Sequence, residues 1–278
     1  MNGILIIDKD RGMTSRDVVN QVGKILHTKK VGHTGTLDPM ATGVLILCVG
    51  SYTKLVNLFI AKEKTYVAKM KLGIQTDTGD ITGSVIKRGK STFPKEEINK
   101  CFSNFYKEYE QTVPIYSAVK VNGKKLYEYA REGKNIELPK RLVHIFELKV
   151  ISIEADEIEF ETTVSKGTYI RSLIEDLAAS LGTVGTMTSL RRIKQGNILI
   201  DDCISLDEVK EGIKLKQIED IFNYPKYHIN DDYYQRVKNG NTLKLDSNEE
   251  RLFLVYEDKI AAVYEKNGDV YKILFSCI

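Results

Sequence analysis

The stretch from Gly32 to Gly43, Gly-His-Thr-Gly-Thr-Leu-Asp-Pro-Met-Ala-Thr-Gly, places one carboxylate, Asp38, among glycines, threonines and a single histidine, His33. A carboxylate held on a loop can serve as a nucleophile or a base. Glycines let such a loop turn tightly and approach a ligand closely, because they lack a side chain. Pro39 stiffens the backbone after Asp38 and biases Asp38 itself toward an extended conformation. By composition alone the run serves equally well as a surface loop ahead of the apolar segment Val44-Leu45-Ile46-Leu47-Cys48-Val49. Further along, Tyr66 and Tyr169 offer aromatic faces, and Arg171 offers a guanidinium fork that fits a carboxylate or phosphate.

These residues need elements to hold them. Gly3 to Asp8 reads as a buried strand, closed by the turn Lys9-Asp10-Arg11-Gly12. Thr14-Ser15 then offers an N-cap, and Val18, Val19, Val22, Ile25 and Leu26 fall at helical spacing. Tyr66 to Leu72 is rich in strand formers and ends at Gly73. Pro94 to Tyr106 predicts a helix with Ile98, Phe102 and Phe105 on one face. Two strands, Val143 to Ile153 and Glu157 to Val164, flank a short acidic turn. Tyr169 opens an amphipathic helix carrying Ile170, Leu173, Ile174, Leu177 and Leu181, which Gly182 stops. Arg171 lies near the start of that helix and off its main apolar stripe, free to reach toward an anion. Strands and helices mixed with hairpin connections predict an α+β fold with a largely antiparallel mixed sheet.

The pattern changes near Asn223-Tyr224-Pro225-Lys226. Beyond it, Arg251 to Tyr256, Ile260 to Tyr264 and Val270 to Phe275 read as short strands separated by turns. A catalytic-sized domain over 1–224 followed by a small β-rich unit over 225–278 is the expected division. A unit of that size holds little core of its own.

The 278 residues are 42% hydrophobic, enough for a normal core. No apolar run approaches the roughly 20 residues of a membrane helix, and no signal segment opens the chain, so a cytoplasmic protein is expected. Four scattered cysteines (Cys48, Cys101, Cys203, Cys277) form no Cys-x-x-Cys pair and suggest reduced thiols, with neither a zinc site nor disulfides. The net charge of +3 hides an asymmetry. Residues 201–278 hold 11 Lys and Arg against 16 Asp and Glu, leaving 30 against 22 in the first 200. The excess suits a polyanion partner, and basic clusters flank the Asp38 loop on several sides.

The Gly32–Gly43 run, with Val44-Leu45 directly after it, closely resembles the catalytic-aspartate motif of the TruB family of tRNA pseudouridine synthases. Lys64-Thr65-Tyr66 ahead of Leu72-Gly73 resembles the family's tyrosine segment. Val113 to Lys120, Gly123 and Leu126 to Arg131 resemble its RNA-gripping insertion, placed at about 107–140. Ser165 to Arg171 and Leu190-Arg191-Arg192 complete the set, in the family's order.

The resemblance implies a pseudouridine synthase fold with a small PUA-like RNA-binding domain at the C-terminus. It implies isomerisation of uridine to pseudouridine at position 55 in the T arm of tRNA. The reaction breaks N1–C1′, turns the base over and joins C5 to C1′; nothing is oxidised and no outside group is added, so no cofactor or metal is expected. Asp38 is then the catalytic residue, and whether it attacks the base, attacks the sugar or removes a sugar proton stays open. Arg171 becomes its ion-pair partner, keeping it ionised and oriented as a nucleophile. Tyr66 stacks on the uracil and takes the C5 proton, while Tyr169 and Leu190 line the pocket. His33 fills the gap left when the target base is flipped out. Lys54, Lys166, Arg191 and Arg192 meet backbone phosphates. The expected partner is the tRNA T-arm stem-loop, with no membrane, no obligatory protein partner and a monomeric enzyme.

Two departures from the family pattern stand out: Asp10 replaces a proline in the first motif, which should loosen that turn, and Ile193 follows Arg192 where threonine is common. A tRNA-binding folding chaperone with secondary or no isomerase activity is the main alternative. A guide-RNA-directed subunit would need partner-binding extensions, and a nucleotidyltransferase a second histidine in the loop; neither feature is evident.

Overall fold

The computed structural model of the chain describes residues 1–60, 62–105 and 107–278. A ten-stranded mixed sheet runs through the larger part. Eight strands follow the order Ile204–Ser205, Gly3–Lys9, Thr42–Val49, Gly185–Gln195, Lys64–Leu72, Glu157–Val164, Lys140–Glu154, Glu108–Thr112. Val31–His33 and Ile198–Leu199 pair alongside Thr42–Val49 and Gly185–Gln195. Two pairings are parallel, Gly3–Lys9 with Ile204–Ser205 and Thr42–Val49 with Gly185–Gln195; the others are antiparallel. The α+β class and largely antiparallel sheet expected from the sequence are what the chain adopts.

Period-2 alternation explains why the central strands are apolar throughout. Leu45, Leu47 and Val49 enter one core, while Val44, Ile46 and Cys48 enter another on the opposite face. Leu5 and Ile7 split from Ile4 and Ile6 in the same way. The first core is covered by the helices Ser15–Ile25, Lys95–Ser103 and Ile170–Ser180, through Val18, Val22, Ile98, Phe102, Leu173 and Leu177. Thr14 caps the first helix: its hydroxyl accepts from Asp17 N at 3.1 Å, and Thr14 N donates to the Asp17 carboxylate at 2.8 Å. The second helix ends at Ser103, so Phe105 is buried just beyond it; the expected helix end at Tyr106 lies outside the described residues.

The C-terminal sheet orders Lys226–His228, Arg251–Tyr256, Lys259–Asn267 and Val270–Ser276, with the helix Asp231–Lys238 beside it. Leu252, Leu254, Ala262 and Tyr264 build its own core with Val237 and Tyr271. Phe253, Val263 and Phe275 point the other way and complete the second core of the large sheet. That shared face compensates for its small size. Among the described residues no helix is long and apolar enough to cross a membrane.

Part of the expected insertion belongs to the sheet, since Glu108–Thr112 is its edge strand. The remainder carries the short hairpin Lys120–Val121/Lys124–Lys125 and the helix Leu126–Arg131.

Candidate active site

The loop carrying Asp38 is fixed residue by residue. Gln195 Nε2 donates to the hydroxyl and carbonyl of buried Thr34, at 3.0 and 3.3 Å. Arg192 Nη2 donates to the Gly35 carbonyl at 3.2 Å. Ser15 Oγ accepts from Leu37 N at 2.8 Å and donates back to its carbonyl at 3.3 Å. Ala41 N donates to the Asp38 carbonyl, and Gly12 N to the Pro39 carbonyl. Leu37, Met40 and Ala41 anchor in the first core. Gly43 has φ +102°, and a Cβ there would lie 2.1 Å from the Arg192 carbonyl. Only glycine allows the two parallel strands to meet at this point.

Opposite the loop, Arg171 projects from the first turn of Ile170–Ser180. Its Nε donates to Asp38 Oδ2 at 2.9 Å and its Nη2 to Oδ1 at 3.3 Å, a two-pronged ion pair. Nη1 donates to the Thr78 carbonyl at 2.9 Å, and Nη2 also to the Tyr116 carbonyl at 3.0 Å. The arginine side chain is 6% exposed, whereas the aspartate remains 31% exposed. The carboxylate is therefore oriented from behind and open in front. The helix start is itself clamped, because buried Gln111 accepts from Tyr169 N at 2.8 Å and donates to its carbonyl at 3.1 Å. Gln111 also donates to Tyr109 Oη at 3.0 Å, which donates to the Asp176 carboxylate at 2.9 Å. Burial pushes the Asp176 carboxyl up.

Asp38 opens into a cavity of about 420 Å³, within the range of small-ligand sites. Two neighbouring strands supply one wall with period-2 spacing: Lys64 and Tyr66 from one, Leu190 and Arg192 from the other, with Tyr66 opposite Arg192. Tyr169 forms another side, and Tyr116, Ser117 and Tyr127 of the insertion fold over it. Among the described lining residues Asp38 is the one carboxylate, set against the cations Arg171, Lys64 and Arg192. With Asp38 and Arg171 paired, the remaining lining is positive. Such a site has an acid–base or nucleophilic group, aromatic and apolar walls for a planar ring, and positive potential for an anionic ligand.

Comparison with known proteins bears directly on this geometry. Residues 23–170 match the family described as TruB family pseudouridylate synthase (N terminal domain), and residues 171–231 match the tRNA pseudouridylate synthase B C-terminal domain. The chain belongs to the TruB family. It is 44% identical to tRNA pseudouridine synthase B of Caldicellulosiruptor saccharolyticus, covering 99% of this chain and 98% of that one. It is 41% identical to the protein of the same name from Lactobacillus acidophilus, over 98% and 97%. Among solved structures, a Cbf5-Nop10-Gar1 complex aligns with a TM-score of 0.73 at 25% identity, covering 99% of this chain and 85% of that one. An H/ACA RNP bound to a substrate RNA containing 2′-deoxyuridine aligns with a TM-score of 0.71 at 24% identity, over 99% and 85%, and shares the fold.

Within this TruB chain the fold brings Asp38, Tyr66, Tyr169, Arg171 and Leu190 to one cavity. His33 is half-buried at the end of Val31–His33, next to Thr34 but not in the cavity lining. Burial, then the charges of Arg16 and Arg192, lower its pKa. Lys54 and Lys166 are exposed and accessible to phosphates from outside the cavity. Arg191 and Arg192 are placed apart from each other. Arg191 is held by Asp8, with Nη2 to Oδ2 at 2.7 Å and Nη1 to Oδ1 at 3.1 Å. Arg192 is buried and reaches inward, its Nε donating to the Val44 carbonyl at 2.7 Å. Adjacent strand residues face opposite sides, so the two cannot act on one surface together.

Sequence reasoning missed Lys64, Gln111 and Lys9. Lys64 was in plain view two residues before Tyr66, on the same strand face. Gln111 gave no signal, because its partner is backbone. Buried Lys9 donates to the Asp10 and Met13 carbonyls at 2.9 and 2.8 Å. Those bonds hold the turn that was expected to loosen where Asp10 replaces proline. Burial pushes the Lys9 pKa down to about 8, opposed chiefly by nearby Asp38.

Proposed function

We propose that this TruB enzyme isomerises uridine 55 in the T arm of tRNA, with Asp38 as its catalytic group. The observation that carries the reading is the forked Asp38–Arg171 pair facing a cavity walled by Tyr66, Tyr169 and Leu190. The curated relatives are named tRNA pseudouridine synthase B. A target uridine leaves its stack and enters the cavity, where its ring lies against Tyr66 and Leu190. Arg171 aims the carboxylate at the nucleotide without neutralising its open face. The N1–C1′ bond breaks, the uracil turns within the cavity and C5 bonds to C1′; Tyr66 takes the C5 proton as its own hydroxyl proton passes to water, and N1 gains a proton from water. Atoms and electrons balance within the nucleotide, so no cofactor enters.

Outside the cavity, His33 fills the space that the flipped base vacates, and Lys54 and Lys166 meet phosphates. The insertion and the PUA-like unit over 225–278 extend the grip on tRNA, and the enzyme acts as a cytoplasmic monomer. A binding-only chaperone would have no use for a fixed carboxylate open to the cavity.

The test is tritium release from T-arm RNA carrying [5-³H]uridine. The reading requires release by the wild type and none by Asp38→Asn, with RNA binding retained. A folded wild type that binds the RNA yet releases no tritium supports the chaperone instead.

A further inference from the structure

We propose that Lys64, Arg192 and Gly35 form an anion site in the cavity wall, built for one backbone phosphate adjoining the flipped nucleotide. The identity of that anion rests on the function proposed above; the site itself rests on charge and geometry. Lys64 is 8% exposed and Arg192 1%. Neither forms an ion pair among the described residues, in contrast to Arg191 with Asp8 and Arg251 with Glu265. The one lining carboxylate is already held by Arg171.

Both cations are held by carbonyls alone. Lys64 Nζ donates to the Ile60 and Lys62 carbonyls at 3.1 and 2.6 Å, which leaves its third proton. Arg192 spends Nε on Val44 and Nη2 on Gly35, and its Nη1 donates to nothing among the described residues. Burying a cation without a carboxylate is costly. Two such cations side by side, on walls of the same cavity, repel each other as well; Arg192 and Lys166 act on Lys64 in that sense. An anion from outside removes both penalties.

Gly35 marks where that anion sits. A Cβ on it would stand 3.5 Å from Arg192 Nη1 and 3.8 Å from Lys64 Cε, so the glycine lies between the two cations. Its φ is not left-handed, so its backbone would accept alanine. What glycine provides here is space. A phosphodiester fits that space: it carries one charge and several acceptor oxygens, and every nucleotide brings one on each side. Uracil brings no charge and could not offset two cations.

The experiment measures the affinity of wild type, Lys64→Met and Gly35→Ala for a T-arm stem-loop. Three RNAs are compared: the natural one, and two in which the linkage 5′ or 3′ of the target uridine is an uncharged methylphosphonate. At one linkage, neutralisation should weaken wild-type binding about tenfold or more. Each variant should weaken the natural RNA comparably and lose little further with that neutral linkage, because both changes delete one contact. Unchanged binding by both variants, or losses that simply multiply at both linkages, overturns the proposal. A parallel titration with inorganic phosphate monitors the Arg192 Nε–H resonance, which should shift in wild type and not in Gly35→Ala. This arm needs no RNA. A phosphate response with no binding of the stem-loop refutes the T-arm reading and not the anion site, while no response in either arm refutes the site.

Discussion

Arg171→Lys keeps the charge beside Asp38 and removes the fork, so it isolates orientation from ionisation. The arginine makes two bonds to Asp38 and one each to the Thr78 and Tyr116 carbonyls. An ammonium is one point on a flexible stem and can keep a single bond to the carboxylate. One charge-assisted hydrogen bond is then lost, about 1.5–3 kcal/mol in a site closed from behind. If that energy orients Asp38 in the transition state, kcat falls about 10- to 150-fold at about 1.4 kcal/mol per decade. KM for tRNA should change little, since Arg171 lies behind the carboxylate. Unfolding free energy should also fall, by about 1–3 kcal/mol, because at least one buried carbonyl loses its donor. Single-turnover tritium release at saturating enzyme measures the first quantity, and urea denaturation the second. A variant with kcat within threefold of wild type, but destabilised as expected, would refute the claim that the fork aims Asp38.

Gln111→Leu keeps the volume but leaves the Tyr169 N–H unpaired inside the protein, while the Tyr169 carbonyl keeps its bond from Leu173 N, costing about 1–3 kcal/mol in urea denaturation; kcat should drop more than KM rises, and unchanged stability would show that the clamp carries no energy. Burial first, then Arg192 and Lys166, lower the Lys64 pKa to about 8, so its charge is largely present at pH 7 and largely lost by pH 9. RNA affinity at constant ionic strength should therefore fall across that interval in wild type and stay flatter in Lys64→Arg, with parallel anisotropy profiles counting against the assignment. The same lowered pKa means the unfolded chain holds the proton more tightly, so Lys64 raises stability as pH climbs from about 8 toward 10.5. Gly43→Ala forces a Cβ to within 2.1 Å of the Arg192 carbonyl and demands left-handed backbone; it should part the strands, lower stability by more than about 3 kcal/mol and abolish turnover, which expression and thermal melts would show.

Much of the fold was legible because its signals are local. Alternation within Thr42–Val49, the Thr14 cap and the helical stripe from Ile170 to Leu181 each arise from neighbours a few residues apart. Phe105 fell outside the helix that its spacing predicted, since a buried aromatic after a helix end looks like one more turn. The Arg191-Arg192 pair was read as a surface cluster because charged residues usually are. As strand neighbours they are driven to opposite faces, one toward Asp8 and the other toward the cavity. The period-2 rule needed only the prior recognition that Leu190-Arg191-Arg192 is a strand.

Contacts between distant segments stayed hidden. Asp38 and Arg171 are separated by 133 positions, and Gln111 meets Tyr169 across 58. Local pattern contains neither distance. The pair is made by the order of the sheet, which sets the strand ending at Val49 beside the one opening at Gly185, and by the helix carrying Arg171, which packs on Gly185–Gln195 and Lys64–Leu72. Arg192 belongs to the same logic: it fastens Val44 and Gly35, and so builds the loop, while its remaining edge faces the cavity. A residue of this kind resists separation into structural and functional roles. Its removal should loosen Asp38 and weaken anion binding together, whereas Gly35→Ala should impair anion binding alone. The difference between those two outcomes tells whether the cations were buried to hold the loop or to hold the RNA.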